Sequence, residues 1–152
     1  MPDATISNVF LEAIYDPSYD IDWENENIRA LLLDNTVSTD RTHRYLDDLS
    51  GELTDGSYSR VNVENRTATI DSSASPPRLI LDSDDVVFSQ LGGSTEPDRM
   101  VMFVQENDDT DSWILGYFEV RRAGSPITPT GDDLIIPPHN EYGWFSVREK
   151  SS

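Results

Sequence analysis

Short apolar runs separated by turn residues recur along the chain, and their spacing predicts strands more than helices. The run at 28–34 is bounded by Asn27 and Asp34-Asn35, which fits a buried strand better than a helix. In 67–71, Ala68 and Ile70 alternate with polar residues, so we expect this strand to turn one face inward and one outward. Further strands are predicted at 58–63, 78–82, 86–88, 134–136 and 144–147.

The clearest supersecondary element is a hairpin. Two strongly apolar segments, 99–105 and 113–120, flank the polar turn 106–112. We therefore predict an antiparallel pair joined by a loop somewhat longer than the tight two-residue type.

Helical signals are few. Ser38-Thr39-Asp40 offers an N-cap, and apolar residues follow at helical spacing, so one short helix is predicted within 41–49. Residues 4–14 are predicted to form a short strand or an irregular arm, which ends at the turn Asp16-Pro17-Ser18.

The spacing of the strands predicts the fold class. Strand candidates about 8–12 residues apart, with one helix, are typical of a mainly β, single-domain antiparallel β-sandwich or barrel. A chain of 152 residues suits one core. We expect an extended N-terminal arm at 1–27, a β-rich core domain at 28–120, and a C-terminal extension at 121–152 with possible edge strands.

Acidic residues greatly outnumber basic ones. The chain has 29 Asp and Glu against 11 Lys and Arg, a formal net charge of −18, and Lys150 is its one lysine. Concentrated salt shortens the screening length to about 3 Å at 1 M, which removes most of the repulsion among surface carboxylates. We therefore expect a protein adapted to high salt, with an ordinary acidic protein as the alternative.

The same charge narrows the choice of partners. No basic stripe is present to replace counterions around phosphates, so we expect no nucleic-acid partner and no anionic membrane partner. The start Met1-Pro2-Asp3-Ala4 has neither basic residues nor an apolar run, so no signal peptide is expected. The absence of cysteine excludes disulfides and thiolate chemistry.

Known catalytic patterns are not found in the sequence. The two histidines, His43 and His139, lie in no H-E-x-x-H pattern, and no serine lies in G-x-S-x-G. Gly92-Gly93 is interpreted as a turn and not as a phosphate-binding loop. We therefore expect no enzymatic activity and no organic cofactor.

Two clusters of aspartates carry candidate hard-oxygen ligands for a structural Ca²⁺ or Mg²⁺. Neither matches the EF-hand loop, which requires a glycine and a terminal glutamate. In so acidic a chain, solvated surface is the favoured interpretation. The candidate metal ligands are Asp82, Asp84, Asp85, Asp108, Asp109 and Asp111.

Aromatic residues near both ends of the chain are the candidate partner contacts, since aromatics are enriched at protein interfaces. The acidic stretch 15–27 is either a loop that packs on its own domain or an arm that docks on a neighbouring subunit. Trp113 belongs either to the core or to the same contacts. The candidate interface residues are Tyr15, Tyr19, Trp23, Tyr142, Trp144 and Phe145.

Several segments follow one another in a characteristic order. They are Arg29-Ala30-Leu31-Leu32-Leu33, Tyr45-Leu46-Asp47-Asp48-Leu49-Ser50-Gly51-Glu52-Leu53, Gly56-Ser57-Tyr58, Leu79-Ile80-Leu81-Asp82-Ser83-Asp84-Asp85-Val86-Val87-Phe88, Met102-Phe103-Val104 and Leu115-Gly116-Tyr117-Phe118. This order resembles a family of small head-associated virion proteins of tailed viruses. The resemblance covers roughly residues 28–120 and implies a β-rich particle component with no catalytic residues.

Together, the resemblance and the salt-adapted composition predict a structural protein of a haloarchaeal tailed virus. We expect a capsid decoration or turret component that is made in the host cytoplasm, resides in the virion head, and binds the major capsid protein or other virion proteins. A homo-oligomer around a symmetry axis is expected. The alternatives are a head-tail connector, tail or baseplate subunit, or a host-glycan-binding spike domain. The last predicts a concave site with aromatics beside two or three acids.

Overall fold

Antiparallel strands account for most of the regular structure. The computed structural model describes residues 4–15, 21–36, 39–54, 56–122 and 125–148. The strands are β1 (Ala4–Ile6), β2 (Ile28–Leu33), β3 (Val61–Asn62), β4 (Thr67–Asp71), β5 (Arg78–Asp82), β6 (Val86–Phe88), β7 (Arg99–Val104), β8 (Trp113–Glu119), β9 (Arg121–Arg122), β10 (Ser125–Pro126), β11 (Leu134–Ile136) and β12 (Phe145–Arg148). The described residues also contain helix α1 (Asn8–Tyr15) and a 3₁₀ turn at Leu46–Asp48. The predicted mainly β class with one short helix is confirmed.

The strands form a sandwich-like arrangement of antiparallel sheets. A central sheet has the order β1-β8-β7-β2-β3, a second sheet has the order β12-β5-β4, and two ribbons pair β11 with β6 and β10 with β9. The predicted hairpin is confirmed as the antiparallel pair β7–β8. Strands β4, β5, β6 and β11 have the predicted bounds.

Apolar side chains cover both faces of the central sheet. Successive residues of β2 point to opposite faces, so Ala30 and Leu32 enter one cluster while Leu31 and Leu33 enter another. This explains why β2 is a continuous apolar run without alternation. The second cluster consists of Leu31, Leu33, Leu46, Val101, Phe103, Ile114 and Tyr117. The main core consists of Phe10, Trp23, Ile28, Ala30, Leu32, Leu53, Val63, Leu81, Val86, Phe88, Leu91, Met100, Met102, Val104, Leu115, Phe118, Val120, Leu134, Ile136, Trp144 and Phe145.

The N-terminal segment differs from the prediction of a strand or irregular arm at 4–14, because most of it is helical. Ser7 is fully buried, and its Oγ accepts a hydrogen bond from the Phe10 N–H at 3.2 Å, which caps α1. The helix then buries Val9, Phe10 and Ala13 on one side. No helix in the described part of the chain is long and apolar enough to cross a membrane.

The helix predicted within 41–49 is wrong; the segment contains only the 3₁₀ turn. The Asp48 carboxylate accepts the N–H groups of Arg44 and Tyr45 at 3.0 and 3.1 Å, and such bonds compete with helical hydrogen bonding. The Arg44 carbonyl accepts the Ile114 N–H at 2.9 Å. The segment therefore extends along β8.

The predicted alternation of β4 is also wrong. Thr67 to Ile70 are all exposed, and Ile70 retains 64% of its accessible surface. The reason is its position at the edge of the sheet, where β5 is the one strand of the described residues that pairs with β4.

The segments predicted as arms contribute to the same core as 28–120. Phe145 makes edge-to-face contacts with Phe10, Trp23 and Phe118, with ring centroids 4.9, 5.9 and 5.4 Å apart. Gly116 makes room for this ring, since a Cβ there would lie 3.0 Å from Phe145 Cε1 and 2.9 Å from the Thr5 carbonyl oxygen. Strand β12 pairs with β5 and β11 pairs with β6.

Truncating the central ring should strongly destabilise the protein. We expect Phe145→Ala to lower the free energy of unfolding by about 3–5 kcal/mol, because it leaves a cavity among three aromatic rings. Ile135→Ala, at a side chain that is 56% exposed, should change it by less than about 1 kcal/mol. Chemical denaturation in concentrated salt measures both values, and similar losses in the two variants would contradict the packing described here.

Candidate functional site

Three of the six predicted interface aromatics lie in the core, which corrects that prediction for Trp23, Trp144 and Phe145. The Trp23 Nε1 donates to the Asp82 carbonyl oxygen at 3.0 Å, and the Trp144 Nε1 donates to Ser83 Oγ at 2.7 Å. Their polar groups are therefore satisfied within the chain.

The other three candidates have different placements. Tyr142 is half-buried and stacks on His139 at 4.8 Å between ring centroids, with the Arg78 guanidinium 4.3 Å from its ring centroid. Tyr15 ends α1, but its side chain lies outside the described residues, and so does all of Tyr19. Among the described candidates, only Tyr142 remains partly accessible.

The two aspartate clusters do not assemble as metal sites. Within the described ranges, no three His, Asp or Glu side chains converge in a way that could hold a metal ion. Asp84 accepts a hydrogen bond from Asn65 Nδ2 at 2.6 Å, and Asp109 pairs with Arg60. Asp108 and Asp111 accept hydrogen bonds from within their own loop, and Asp82 accepts the Ser83 N–H. Asp85 lies exposed at the surface. These carboxylates order turns and loops.

A concave site lies between α1, the 21–26 segment, the 44–45 segment and the hairpin loop. We call it the Tyr45–Trp113 cleft, and it has a volume of about 390 Å³. That value falls in the range of about 300–1,000 Å³ that ligand pockets occupy. Its walls are formed by Val9, Ile21, Glu26, Arg44, Tyr45, Glu106, Asp111 and Trp113.

A β-bulge directs Trp113 towards this cleft. Gly116 lies opposite Met102 and Ile114 lies opposite Phe103, so Leu115 is an extra residue in β8. The bulge reverses the alternation, and Trp113 therefore lies opposite Val104, at the margin of the main core instead of the second cluster. If 113–117 alternated regularly without a bulge, Trp113 would share a face with Tyr117.

Tyr45 lies on the same side as Trp113, facing the cleft, because the Tyr45 backbone pairs with β8. Tyr45 and Trp113 are directly opposite in an isolated antiparallel bridge, and the Leu46 N–H donates to the Ser112 carbonyl oxygen at 3.0 Å. Directly opposite residues of an antiparallel pair project to the same face. The two aromatic residues therefore form neighbouring parts of one wall.

The Arg60 side chain anchors the hairpin loop that supplies the acids. Arg60 Nη1 and Nη2 donate to the two Asp109 carboxylate oxygens at 2.8 and 2.9 Å, and Nε and Nη2 donate to Glu52 at 2.9 and 2.7 Å. The guanidinium also lies over the Phe103 ring, 5.5 Å from its centroid. Bidentate pairs of this kind define geometry as well as charge. The loop carrying Glu106 and Asp111 is thus tied to the body of the protein.

These contacts change the acid-base properties of the anchor. The hydrogen bonds from Arg60 hold the pKa of Asp109 below its usual value, while those from Asp109 and Glu52 raise the pKa of Arg60. Burial and the bond to Glu52 raise the pKa of Tyr58, whose hydroxyl donates to Glu52 Oε2 at 2.6 Å. All three groups therefore keep their ordinary ionisation at neutral pH.

The cleft combines apolar walls with both kinds of hydrogen-bonding group. Trp113 Nε1 and Arg44 can only donate, whereas Glu26, Glu106 and Asp111 can only accept when ionised. This composition suits binding of a polar ligand.

Tyr45 was predicted to lie on a helix and Trp113 was assigned to no cleft. An aromatic residue directly after an acidic loop, as at 106–113, was the local signal for such a site.

The Arg60–Asp109 pair should stabilise the fold above the pKa of Asp109 and not below it. Because the folded-state pKa is below the usual 3.8, the contribution is complete above that value and is lost as the pH falls through the folded-state pKa. Asp109→Asn should therefore reduce the free energy of unfolding at pH 7, and its difference from the wild type should shrink near about pH 3. Chemical denaturation at constant salt concentration measures the free energy of unfolding of both proteins at the two pH values.

Asp85→Asn is the matched control, since Asp85 is exposed and no described residue pairs with it. It should show no comparable pH-dependent difference. An Asp109→Asn effect of equal size at both pH values would show that charge pairing with Arg60 is not its cause.

Comparisons with known proteins give no relative of this chain. No protein-family model, curated protein or solved structure matches it. What the chain does must therefore be inferred from its own side chains and geometry.

Proposed function

We propose that this protein is a structural component of a tailed-virus particle, most simply a decoration or turret protein on the head. The residue order described above, which resembles that of small head-associated virion proteins, supports the proposal. Of the resembling segments, those in β2, β7 and β8 lie side by side in the central sheet. The protein would act by association with copies of itself and with the major capsid protein or other virion proteins.

The observation that carries the association is the outer edge of β4. The Ala68 N–H donates to the Glu24 carboxylate at 2.8 Å, so it points away from β5. Alternation along the strand then places the Ile70 backbone groups on the same outer edge. No described residue hydrogen-bonds to the Ile70 N–H at this edge. Unpaired strand edges readily pair with another chain.

Apolar side chains adjoin this edge. Ile70 lies opposite Leu79 of β5, and Leu79 lies opposite Val147 of β12, so the three form one row across the sheet. Ile70 is 64% exposed on a chain with a net charge of −18. Leu79 is half-buried against the main core and Val147 is half-buried, so Ile70 is the accessible member of this row and marks the interaction surface.

The segment's charge indicates when a second copy would bind. Thr67 to Ile70 contain no charged residue, and the Glu24 carboxylate lies at the same edge, on the Ala68 N–H. Salt must screen this carboxylate before a second copy can approach. The net charge of −18 on each copy opposes association at low ionic strength. Concentrated salt screens this repulsion over a length of about 3 Å at 1 M. Homo-oligomerisation should therefore need salt.

Light scattering on the purified protein tests this interface. We expect a discrete oligomer at about 2 M salt that loosens towards monomer near about 0.1 M. Symmetric pairing of two β4 edges gives a dimer. Ile70→Lys should leave a monomer at both salt concentrations, because it places a charge on the open edge.

Ile135→Lys is the control, since Ile135 is the other strongly exposed isoleucine and lies in β11. It should retain the oligomer. A wild-type monomer at high salt, or equal dissociation in both variants, would overturn the β4 interface.

The place in the particle is tested separately, by quantitative mass spectrometry of tailed-virus particles purified from cultures in which this chain is produced. A copy number near that of the capsomers supports a decoration or turret protein. A handful of copies supports a connector, tail or baseplate subunit instead. Absence of the chain from purified particles would overturn the virion proposal.

A further inference from the structure

We infer that the Tyr45–Trp113 cleft binds a neutral saccharide of one or two rings. The inference does not depend on the β4 interface or on the position in a particle. It rests on the shape of the cleft, on its aromatic wall, and on the pairing state of its polar groups.

The aromatic wall favours a ligand with C–H groups on a flat face. Tyr45 is 37% exposed. Trp113, its directly opposite neighbour, is half-buried and lies perpendicular to the Phe10 ring, with the ring centroids 6.5 Å apart. The face of an aromatic ring is electron-rich and attracts the partially positive C–H groups of a sugar ring. Val9 and Ile21 extend the apolar lining beside these rings.

Among the described residues, two polar groups in the wall have no hydrogen-bond partner. No described residue hydrogen-bonds to Trp113 Nε1 or to the Glu106 carboxylate, whereas the buried Trp23 and Trp144 both use their indole N–H within the chain. Trp113 Nε1 is also not one of the described buried polar atoms that lack a partner. A ligand in the cleft can therefore accept from Trp113 and donate to Glu106.

The mixture of donors and acceptors selects the ligand class. Each sugar hydroxyl both donates and accepts, so one ligand can use Trp113 Nε1 and Arg44 together with the carboxylates of Glu106 and Asp111. A basic side chain would satisfy only the acceptors and would lie beside the Arg44 guanidinium. An anionic sugar would meet three carboxylates, since Glu26 also lines the cleft. A neutral saccharide meets neither conflict.

The volume limits the size of the ligand. At about 390 Å³, the cleft lies near the lower end of the range for ligand pockets, about 300–1,000 Å³. One or two sugar rings are compatible with this space. We expect dissociation constants on the order of 1 mM, since a small open site buries little ligand surface.

Saturation-transfer NMR on the full chain tests the inference, with cellobiose and maltose as probes. We expect saturation transfer to at least one neutral disaccharide, with an affinity that changes little between about 0.1 M and 2 M salt, because no net charge is neutralised. Glucuronic acid should give no signal. N-acetyl-arginine amide, as a basic probe, should not displace the disaccharide.

Variants then locate the site. Tyr45→Ala should weaken the disaccharide by about tenfold through loss of the aromatic face, without a change in melting temperature. Tyr142→Ala, at a tyrosine that does not line the cleft, should bind like the wild type. Glu106→Gln should weaken binding less than Tyr45→Ala, since an amide can still hydrogen-bond to a hydroxyl.

Each contrary result is informative about the ligand. If neither disaccharide gives saturation transfer, or if Tyr45→Ala binds like the wild type, the inference is wrong. If the arginine probe alone binds, and does so mainly at low salt, the cleft takes a basic side chain and the saccharide assignment is overturned. None of these results bears on the oligomeric state, so failure here is distinguishable from failure of the proposed function.

Discussion

Burial of the Phe145 ring is the interaction on which the architecture depends. Phe145 contacts Phe10 from α1, Trp23 from the 21–27 segment and Phe118 from β8, all in edge-to-face geometry. Such pairs contribute about 0.5–1.5 kcal/mol each beyond the burial of their surface. The core is therefore completed only when residues from both ends of the chain meet the central sheet. This is why the terminal segments are integral parts of the domain.

One extra residue in β8 connects this core to the candidate binding site. A regular hairpin would keep Trp113 on the face of Tyr117, among the second cluster. The bulge at Leu115 instead places Trp113 at the margin of the main core, next to Phe10 and opposite Tyr45. Bulges commonly redirect a side chain in this way, at the cost of a disrupted ladder. The Arg60–Asp109 pair then secures the adjacent loop, so the acids of the cleft have a defined position.

Many of the carboxylates that make the chain so acidic also order its turns. Four aspartates accept hydrogen bonds from the backbone and hydroxyl of the residue two positions later. These pairs are Asp34 with Thr36, Asp40 with Thr42, Asp71 with Ser73 and Asp108 with Thr110. The hydroxyl bonds from Thr42 and Ser73 lower the pKa of Asp40 and of Asp71. A large negative charge and local order are thus compatible, because an ionised carboxylate is a strong acceptor for such bonds.

Local residue patterns predicted most of the strands, whereas contacts between distant segments determine what covers them. Continuous apolar runs such as β2 and the hairpin segments of β7 and β8 are local signals, so their positions could be predicted. Helix α1 was not predicted, because a segment of eight residues with a serine cap also fits an irregular arm. For 41–49 a helix was predicted, but the segment contains only a 3₁₀ turn. Hydrogen bonds to Asp48 and to β8 outweigh the helical spacing of its apolar residues.

The same division holds for the candidate site. Composition indicated acids and aromatics, but not which of them meet. Trp23, Trp144 and Phe145 entered the core because distant strands cover them, and Ile70 stayed exposed because β4 has no further neighbour in its sheet. Tyr45 and Trp113 are 68 positions apart and meet through one backbone bridge beside a bulge. Contacts of this kind depend on register between distant segments, which local residue patterns do not encode.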